Sequence, residues 1–195
     1  AALVTASACS CCQTILEYIE HFNGNYAKPS DILKFLNSAV LLAGGQKILM
    51  TFFVAIYDSE TKTLEYSNAS HNFPIIYRYS DKEPTKKSIQ ALGKAVGRRL
   101  GDKADSEFTN ETISIDDQDV LLLYTDGPVE AYNKENIIWG ERKFNKSFFT
   151  RAKKEPETII KGILSDGYEY FDGVPPDDDI TLVATKFLVS PPNIS

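Results

Sequence analysis

The fold depends on residues 119–127, which read Asp119-Val120-Leu121-Leu122-Leu123-Tyr124-Thr125-Asp126-Gly127. The apolar and aromatic run 120–124 predicts a strand that is buried on both faces. A carboxylate at the end of such a strand is costly unless a cation or a hydrogen-bond donor faces it. Gly127 lets the backbone turn sharply beside that carboxylate. The stretch therefore predicts either a metal ligand or catalytic acid at Asp126, or an ordinary Asp-Gly turn between strands.

The composition favours one globular domain of an acidic protein. The chain has 195 residues, 43% of them hydrophobic, with 10 Tyr and 11 Phe for a sizeable core. The formal net charge is −6, and no basic run interrupts the sequence. We therefore expect no nucleic-acid partner. We also expect no direct membrane insertion, because no apolar run approaches transmembrane length.

Three cysteines, Cys9, Cys11 and Cys12, lie close together in a helical pattern. An odd number at this spacing suits neither a disulfide framework nor a zinc site. They are predicted to be helix-packing thiols in a reducing compartment, and hence a cytoplasmic location is expected.

Two helices are predicted before the first strand. Residues 1–22 form the first, with an apolar stripe of Ile15, Leu16, Ile19 and Phe22. It begins without a capping residue, which suggests a chain cut from something longer. Pro29 opens the second helix, with Ser30 or Asp31 as its cap and Gly44-Gly45 as its end. The buried stripe of this second helix is Ile32, Leu33, Leu36 and Val40.

A run of strands follows, and helices return only near the end. Strands are predicted at 50–57, 63–68, 75–79, 88–92, 108–115, 120–124 and 180–188. A short helical turn is expected at 129–132, and two helices are expected around 143–152 and from residue 155 onward. The tail 189–195, with its two prolines, is expected to fray.

Acidic residues flank two of the buried strands: Asp126 follows one, and Asp177, Asp178 and Asp179 precede another. If the two strands are antiparallel neighbours, the carboxylates meet at one edge of the sheet. Clustered carboxylates repel one another, and a hard divalent cation relieves that repulsion. Oxygen ligands favour Mg²⁺ or Mn²⁺ over zinc. Metal-assisted hydrolysis of a phosphoester is a reaction that such a site supports.

The order of several motifs identifies a family. The motifs are Met50-Thr51-Phe52-Phe53, Tyr66-Ser67-Asn68-Ala69-Ser70-His71-Asn72-Phe73-Pro74, Leu121-Leu122-Leu123-Tyr124-Thr125-Asp126-Gly127-Pro128-Val129-Glu130-Ala131, Trp139-Gly140-Glu141-Arg142 and Asp178-Asp179-Ile180-Thr181-Leu182-Val183. Together they closely resemble the protein phosphatase 2C-like (PPM) serine phosphatases of the stage II sporulation protein E and RsbU type. The resemblance covers nearly the whole chain and assigns residues 1–188 to one phosphatase domain.

The resemblance implies an α+β fold, an α-β-β-α sandwich of two antiparallel sheets flanked by helices. Carried over by position, Asp126 and Asp178 look like ligands of one metal ion. Gly127 fits the tight turn beside it, Asp179 looks like a hydrogen-bonding partner, and Asp177 looks like a solvated neighbour. Two Mn²⁺ or Mg²⁺ ions and a metal-activated water that attacks phosphorus are implied. No Ser-His or Cys-His pair suggests a covalent route.

The resemblance also predicts that part of the domain is missing. The family has an acidic residue followed by Gly on a strand upstream of a "GHGxxAAL" segment, and Ala1-Ala2-Leu3 matches the end of that segment. We therefore expect a domain without its first strand or strands and without one bridging aspartate. Such a chain should bind metal weakly and be poorly active or inactive.

The resemblance implies a phosphorylated signalling protein as substrate, such as an anti-sigma-factor antagonist. The alternative is a non-catalytic phosphatase fold that only binds or regulates a partner. The apolar stripe of the first helix allows a homodimer, if it is exposed.

Two further features are open to more than one interpretation. His71 occupies a loop where the family commonly has Asn-Ala-Gly-His, and Ser70 here replaces that Gly; a structural role for His71 is predicted. Lys94, Arg98 and Arg99 form a basic stretch that either contacts a phosphate or acidic partner or is simply solvated.

Overall fold

The computed structural model describes residues 2–21, 27–45, 47–79, 88–93 and 97–189. In chain order, its elements are α1 (Ala2–His21), α2 (Pro29–Gly44), β1 (Phe52–Asp58), β2 (Thr63–Ala69), β3 (Ile75–Tyr77), β4 (Ile89–Ala91), β5 (Glu111–Ser114), β6 (Val120–Tyr124), α3 (Gly127–Glu130), α4 (Gly140–Arg151), α5 (Pro156–Phe171) and β7 (Leu182–Lys186). The chain divides into two compact units, Ala1–His71 with Lys94–Ser114 and Asn72–Gly93 with Ile115–Ser195.

The first unit is a three-stranded sheet covered by two helices. Its strands run in the order β1-β2-β5, and both neighbouring pairs are antiparallel. Helix α2 packs against α1 and against β1 and β2. The shared core consists of Val4, Ala8, Ile32, Leu33, Leu36, Val40, Ala69, Leu100 and Phe108. Alternate residues of β1, namely Phe52, Val54 and Ile56, pack against this core, as the period of a strand requires.

The buried face of α1 differs from the predicted stripe. Val4 and Ala8 are buried, and the partly buried Cys11, Cys12 and Ile15 pack against the same core. Leu16 of the predicted apolar stripe is 57% exposed, so the stripe is not the buried face at this position. The helix offers two apolar faces, and packing against α2 selects the one that carries the small residues. The side chain of Ile19 and the whole of Phe22 lie outside the described residues.

Helix α2 keeps its predicted stripe but not its predicted cap. All four stripe residues are buried, and Gly45 ends the helix with φ +55°. Its N-cap is Lys28, whose side chain makes no capping hydrogen bond, so the prediction of Ser30 or Asp31 was wrong. The Ser30 amide donates instead to Asn110 Oδ1 at 2.8 Å. A side chain 80 residues away therefore satisfies an amide that a local cap would otherwise bind.

The second unit pairs a four-stranded antiparallel sheet with two helices. The strand order is β4-β3-β6-β7, and α4 and α5 pack against each other. The core combines apolar strand residues with aromatic helix residues: Ile75, Tyr77, Val120, Leu122, Tyr124, Val129, Ala131, Trp139, Phe144, Phe148, Ala152, Ile159, Ile163 and Phe171. Trp139 meets Phe144 and Phe171 edge to face. The buried strand β6 is thus fixed by packing over its full length.

The predicted α+β class, with helices and two antiparallel sheets, is confirmed. Most predicted strands are found one or two residues shorter at an end; the strand predicted at 50–57, for example, begins at Phe52. No helix in the described part of the chain combines the length and the apolar character needed to cross a membrane. Residues 190–195 of the predicted tail lie outside the described residues.

Candidate metal centre

The ends of β6 and β7 bring the predicted acidic residues to one edge of the sheet in the second unit. The two strands pair antiparallel, with Tyr124 opposite Leu182. Asp126 lies two residues beyond the end of β6, and Asp178 lies four residues before the start of β7. The condition stated in the sequence analysis, that the two strands are antiparallel neighbours, is therefore met. The acidic segments therefore leave and enter the sheet on the same side.

Thr125 fastens these two segments together. Its amide donates to Thr181 O at 3.1 Å, and its hydroxyl donates to Asp179 O at 3.0 Å. The same hydroxyl accepts the Thr181 amide at 3.0 Å. A single side chain thus extends the β6–β7 pairing past the last paired residues. The sequence analysis missed this role, and a hydroxyl residue directly before the Asp-Gly pair was the available signal.

Gly127 is required by a close approach of two backbone segments. A Cβ atom at this position would lie 2.5 Å from Asp179 O and 3.1 Å from Asp178 O. Contacts under 3.0 Å are essentially never seen for real Cβ atoms. Any larger residue would therefore push the Asp178-Asp179 segment away from the end of β6. Gly127, which was predicted for a tight turn, lies where the backbone of the Asp178-Asp179 segment comes closest.

Asp126 and Asp178 both present exposed carboxylates at this edge. Asp126 is the N-cap residue of α3, but its side chain makes no capping hydrogen bond. Its carbonyl accepts the amides of Val129 and Glu130 at 2.9 and 3.0 Å. One oxygen of Asp178, Oδ1, accepts the Asp179 amide at 2.7 Å, which orients that carboxylate. The hydrogen bonds of Asp179 to Thr125 and Asp178 involve its backbone carbonyl and amide, so the predicted role of its side chain stays a prediction.

These residues fit a hard divalent cation in part. Two exposed carboxylates on adjoining segments are the oxygen ligands that Mg²⁺ and Mn²⁺ prefer. Across residues 2–21, 27–45, 47–79, 88–93 and 97–189, no group of three or more His, Cys, Asp or Glu side chains is placed to hold a metal ion. The described edge thus offers two carboxylate positions, and the ligand roles of Asp126 and Asp178 stay predictions.

Asp119, at the other end of β6, is a buried charge to which the sequence analysis gave no role of its own. Its side chain is fully buried. Oδ2 accepts Arg78 Nη1 at 2.7 Å and the Asp116 amide at 3.1 Å. Oδ1 accepts the Tyr79 amide at 2.7 Å. Asp119 therefore ties the turn before β6 to the end of β3, the neighbouring strand.

Tyr124 ends β6 close to Asp126, but it is a packing residue. Its ring centroid lies 4.5 Å from that of Phe144. Burial, and then the charge of Glu141, raise the pKa of its phenol to about 12. The phenol therefore stays protonated near neutral pH and does not serve as a base there.

The loop 68–71 in the first unit has the organisation of a tight turn. Asn68 Oδ1 accepts the His71 amide at 2.7 Å, and Asn68 Nδ2 donates to His71 O at 3.0 Å. Ser70 has φ +59°, a left-handed conformation that glycine adopts at least cost. This explains why a glycine suits the position that Ser70 occupies. Asn68, which the sequence analysis had not singled out, thus shapes the turn through two hydrogen bonds to the backbone of His71.

Comparison with known proteins identifies one family and two relatives of known name. The family model described as Stage II sporulation protein E (SpoIIE) matches residues 1–188. Protein IcfG from Synechocystis sp. is 29% identical over 171 residues, which cover 83% of this chain and 25% of that protein. Phosphoserine phosphatase RsbU from Bacillus subtilis is 25% identical over 176 residues, 90% of this chain and 50% of that protein. The chain thus spans half or less of the length of these relatives.

Solved structures share the fold. The SiaA-PP2C domain of Pseudomonas aeruginosa has a TM-score of 0.76 at 20% identity, covering 95% of this chain and 70% of that one. RsbX in complex with magnesium gives 0.60 at 13% identity, with 95% and 75% covered. The Mn-presoaked phosphatase domain of SpoIIE from Bacillus subtilis gives 0.59 at 13% identity, with 93% and 75% covered. At these identities the likeness establishes the fold alone.

Proposed function

The chain belongs to the stage II sporulation protein E (SpoIIE) family, whose relatives are PP2C-like phosphatases, and we propose that it hydrolyses phosphoserine or phosphothreonine on a signalling protein. The observation that carries the proposal is the convergence of Asp126 and Asp178 at the shared edge of β6 and β7. Both carboxylates are exposed, so a phosphorylated side chain can reach them from solvent.

Asp126 and Asp178 are the residues that would hold a divalent cation, Mn²⁺ or Mg²⁺. Such a cation neutralises phosphoryl oxygens and activates water. The relatives with solved structures include one soaked with manganese and one in complex with magnesium, which supports either ion. Two ions are expected in a complete domain of this kind.

Neighbouring residues of the chain fix the positions of the Asp126 and Asp178 carboxylates relative to each other. Thr125 joins the end of β6 to the 179–181 segment, and Gly127 allows that segment to approach closely. The hydrogen bond from the Asp179 amide holds the Asp178 carboxylate in one orientation. Positions fixed in this way lower the cost of assembling a charged site, because little reorganisation remains when a ligand arrives.

The finer assignments follow from the family. A phosphorylated anti-sigma-factor antagonist is the proposed substrate class, and a cytoplasmic location is proposed with it. Self-association into a homodimer is supported by exposed apolar side chains on α1 and α2, among them Leu3, Phe35 and Leu42.

A non-catalytic binding or regulatory module is the second candidate. The observation that favours it is the lack, in the described parts of the chain, of a third acidic, His or Cys side chain grouped with the two aspartates. Carboxylates without a further ligand hold a divalent cation weakly. Such a protein would bind a phosphorylated partner without turning it over.

Hydrolysis of p-nitrophenyl phosphate with Mn²⁺ tests the proposal. We expect slow, Mn²⁺-dependent turnover that Asp126→Asn and Asp178→Asn each reduce by at least about 10-fold, since each removes a charged ligand. Asp177→Asn is the matched control, because Asp177 is an exposed neighbour. This control should retain the wild-type rate.

The outcomes separate the two candidates. Turnover that survives both ligand substitutions would place the chemistry elsewhere and refute the assignment. If calorimetry shows Mn²⁺ binding that depends on Asp126 and Asp178 while turnover is absent, the non-catalytic module is correct.

A further inference from the structure

The first unit contains an open cleft whose walls are mainly polar. Its volume is about 520 Å³. Thr51, Ser70, Arg98, Arg99 and Asp102 supply its polar side chains. This cleft, called the Arg98–Arg99 cleft below, lies outside the β6–β7 edge and none of its residues belongs to the candidate metal centre.

The backbone that carries the two arginines is anchored on both sides. Before them, Gly97 accepts a hydrogen bond from the Ser70 hydroxyl. After them, Leu100 is completely buried and exchanges two backbone hydrogen bonds with Met50, at 2.8 and 3.0 Å. The arginines therefore project from a fixed segment, which lowers the ordering cost of binding.

The anchoring continues one residue further. The Gly101 amide donates to Asn37 Oδ1 at 2.8 Å, and Asn37 Nδ2 donates to Lys103 O at 2.8 Å. Asn37 is only 1% exposed, so this clamp is shielded from water. A buried side chain of α2 thus holds the loop beneath the cleft in one conformation.

The cleft has a positive charge in a protein whose net charge is −6. Arg98 pairs with Asp102, with Nη1 and Oδ2 2.8 Å apart and both side chains well exposed. Within the described residues, the Arg99 side chain has neither an ion pair nor a hydrogen bond, and it is exposed. The lining of the cleft thus carries two guanidinium groups and one carboxylate, and the Arg99 guanidinium remains able to bind a planar anion in a bidentate manner.

We propose that the Arg98–Arg99 cleft binds an acidic segment of a protein partner, with Arg99 as its main anion-binding residue. The Arg98–Asp102 pair shows that a carboxylate fits beside the Arg98 guanidinium. The volume of the open cleft exceeds that of a single phosphate or carboxylate and suits several residues of an extended peptide. No aromatic ring is among the lining residues described, so the cleft lacks the stacking surface that single-stranded nucleic acid requires.

The proposal is independent of hydrolysis at the metal centre, and its test excludes metal. Fluorescence anisotropy measures binding of a fluorescein-labelled oligoglutamate peptide to the chain in EDTA, so that no cation bridges the peptide to Asp126 or Asp178. Arg99→Gln should weaken binding about fivefold, the size expected for one exposed charge contact. Asp102→Asn should tighten it about threefold, because it removes a competing carboxylate and releases Arg98.

Arg142→Gln is the matched control, because Arg142 is an exposed arginine on α4, outside the cleft. It should bind the peptide like the wild type, and an oligoglutamine peptide should not bind. Absence of oligoglutamate binding, equal affinity for Arg99→Gln and the wild type, or weaker binding by Asp102→Asn would each overturn the proposal. Inorganic phosphate bound in preference to the peptide would overturn it too, since the cleft would then be a single-anion site.

Discussion

Asp119 shows how one buried charge can organise a strand. It lies next to the first residue of β6, and its carboxylate takes three hydrogen bonds, from Arg78, Tyr79 and Asp116. Arg78 keeps 23% of its side chain exposed, so only one partner of the ion pair is fully desolvated. A carboxylate in that position is tolerable only because every bond is made.

Removal of the Asp119 carboxylate should therefore destabilise the chain strongly. Asp119→Ala removes three hydrogen bonds, one from the Arg78 guanidinium and two from backbone amides, and we expect the free energy of unfolding to fall by about 3 kcal/mol. Urea unfolding followed by circular dichroism measures the change. Asp105→Ala, at an exposed aspartate of the first unit, is the control and should cost less than about 0.5 kcal/mol. Equal effects of the two substitutions would show that the buried network contributes nothing.

Helices α4 and α5 are joined by a polar contact as well as by their apolar faces. Arg151 donates to both oxygens of Asp166, at 2.7 and 2.8 Å, and the Ser147 hydroxyl donates to the same carboxylate at 2.7 Å. Gly162 lies so close to Arg151 that a Cβ atom there would displace its guanidinium. The glycine on α5 thus makes room for the bidentate pair.

This contact gives the helix pair a predictable pH dependence. Burial acts to raise the pKa of Asp166, but hydrogen bonds from Arg151 and Ser147, together with the Arg151 charge, outweigh it and lower the pKa. Because the pKa of Asp166 is lower in the folded chain than in the unfolded chain, its ionised carboxylate stabilises the fold. This stabilisation is fully present above the unfolded pKa of about 3.9 and is lost as the pH falls through the folded pKa. Asp166→Asn should therefore cost about 1 kcal/mol at pH 7, a figure that allows for solvent screening of a partly exposed pair.

Urea unfolding at neutral pH and below about pH 3 tests this sign, because the difference between Asp166→Asn and wild type should shrink in acid. Asp172→Asn is the control: Asp172 pairs with Lys134 at 2.9 Å, but both side chains are more than 60% exposed. Its effect should be within about 0.5 kcal/mol at either pH. A difference for Asp166→Asn that grows in acid would contradict the assigned pKa direction.

The elements were predictable where a local pattern determines them. The stripe of α2 and the apolar run of β6 follow from periodicity alone. The stripe is buried as predicted, and so is the run except for Leu123, which is half-buried. The capping of α2 was not predictable, because Asn110, which accepts the hydrogen bond from the Ser30 amide, lies 80 residues away in the sequence. The same holds for Asp119, whose partner Arg78 lies 41 residues away.

The candidate metal centre likewise combines features that the sequence pattern predicts with contacts that it does not predict. The sequence motifs placed Asp126 and Asp178 at strand ends, and the antiparallel pairing of β6 with β7 brings those ends to one edge. The role of the Thr125 hydroxyl, which links the two segments, was not predicted. Its partners are the carbonyl of Asp179 and the amide of Thr181, which are backbone groups of a segment distant in the sequence. A pattern of residue types predicts which side chains carry chemistry, but it does not reveal the backbone contacts that hold them.

At the scale of the whole molecule, each unit has its own core and its own polar surface feature. The first unit carries the Arg98–Arg99 cleft, and the second carries the two aspartates at the β6–β7 edge. The first unit also exposes apolar side chains on α2: Phe35 is 58% exposed and Leu42 is 88% exposed. These two residues are seven positions apart, so they lie on one face of the helix, which differs from the buried stripe.

That outward face of α2 is the surface through which we expect two copies of the chain to associate. We take the partner to be a second copy of the chain, because in an isologous contact each apolar side chain is buried twice, once on each copy. The net charge of −6 makes two copies repel each other, so their association depends on such short-range contacts. Each leucine that a dimer buries contributes about 1.5–3 kcal/mol. Leu42→Lys should therefore weaken self-association by at least about 10-fold.

Sedimentation velocity over a range of protein concentrations measures this effect directly, because a reversible dimer raises the weight-average sedimentation coefficient as concentration increases. Leu188→Lys is the matched control, since Leu188 is 69% exposed but lies in the second unit, near the C-terminal end of the chain. This variant should follow the wild-type curve, whereas Leu42→Lys should remain monomeric over the same range. Both substitutions replace exposed side chains and leave the core intact, so a lower coefficient reports loss of association rather than unfolding. A wild-type chain that sediments as a monomer at every concentration, or a Leu42→Lys curve that matches the wild type, would show that this face of α2 does not join two copies.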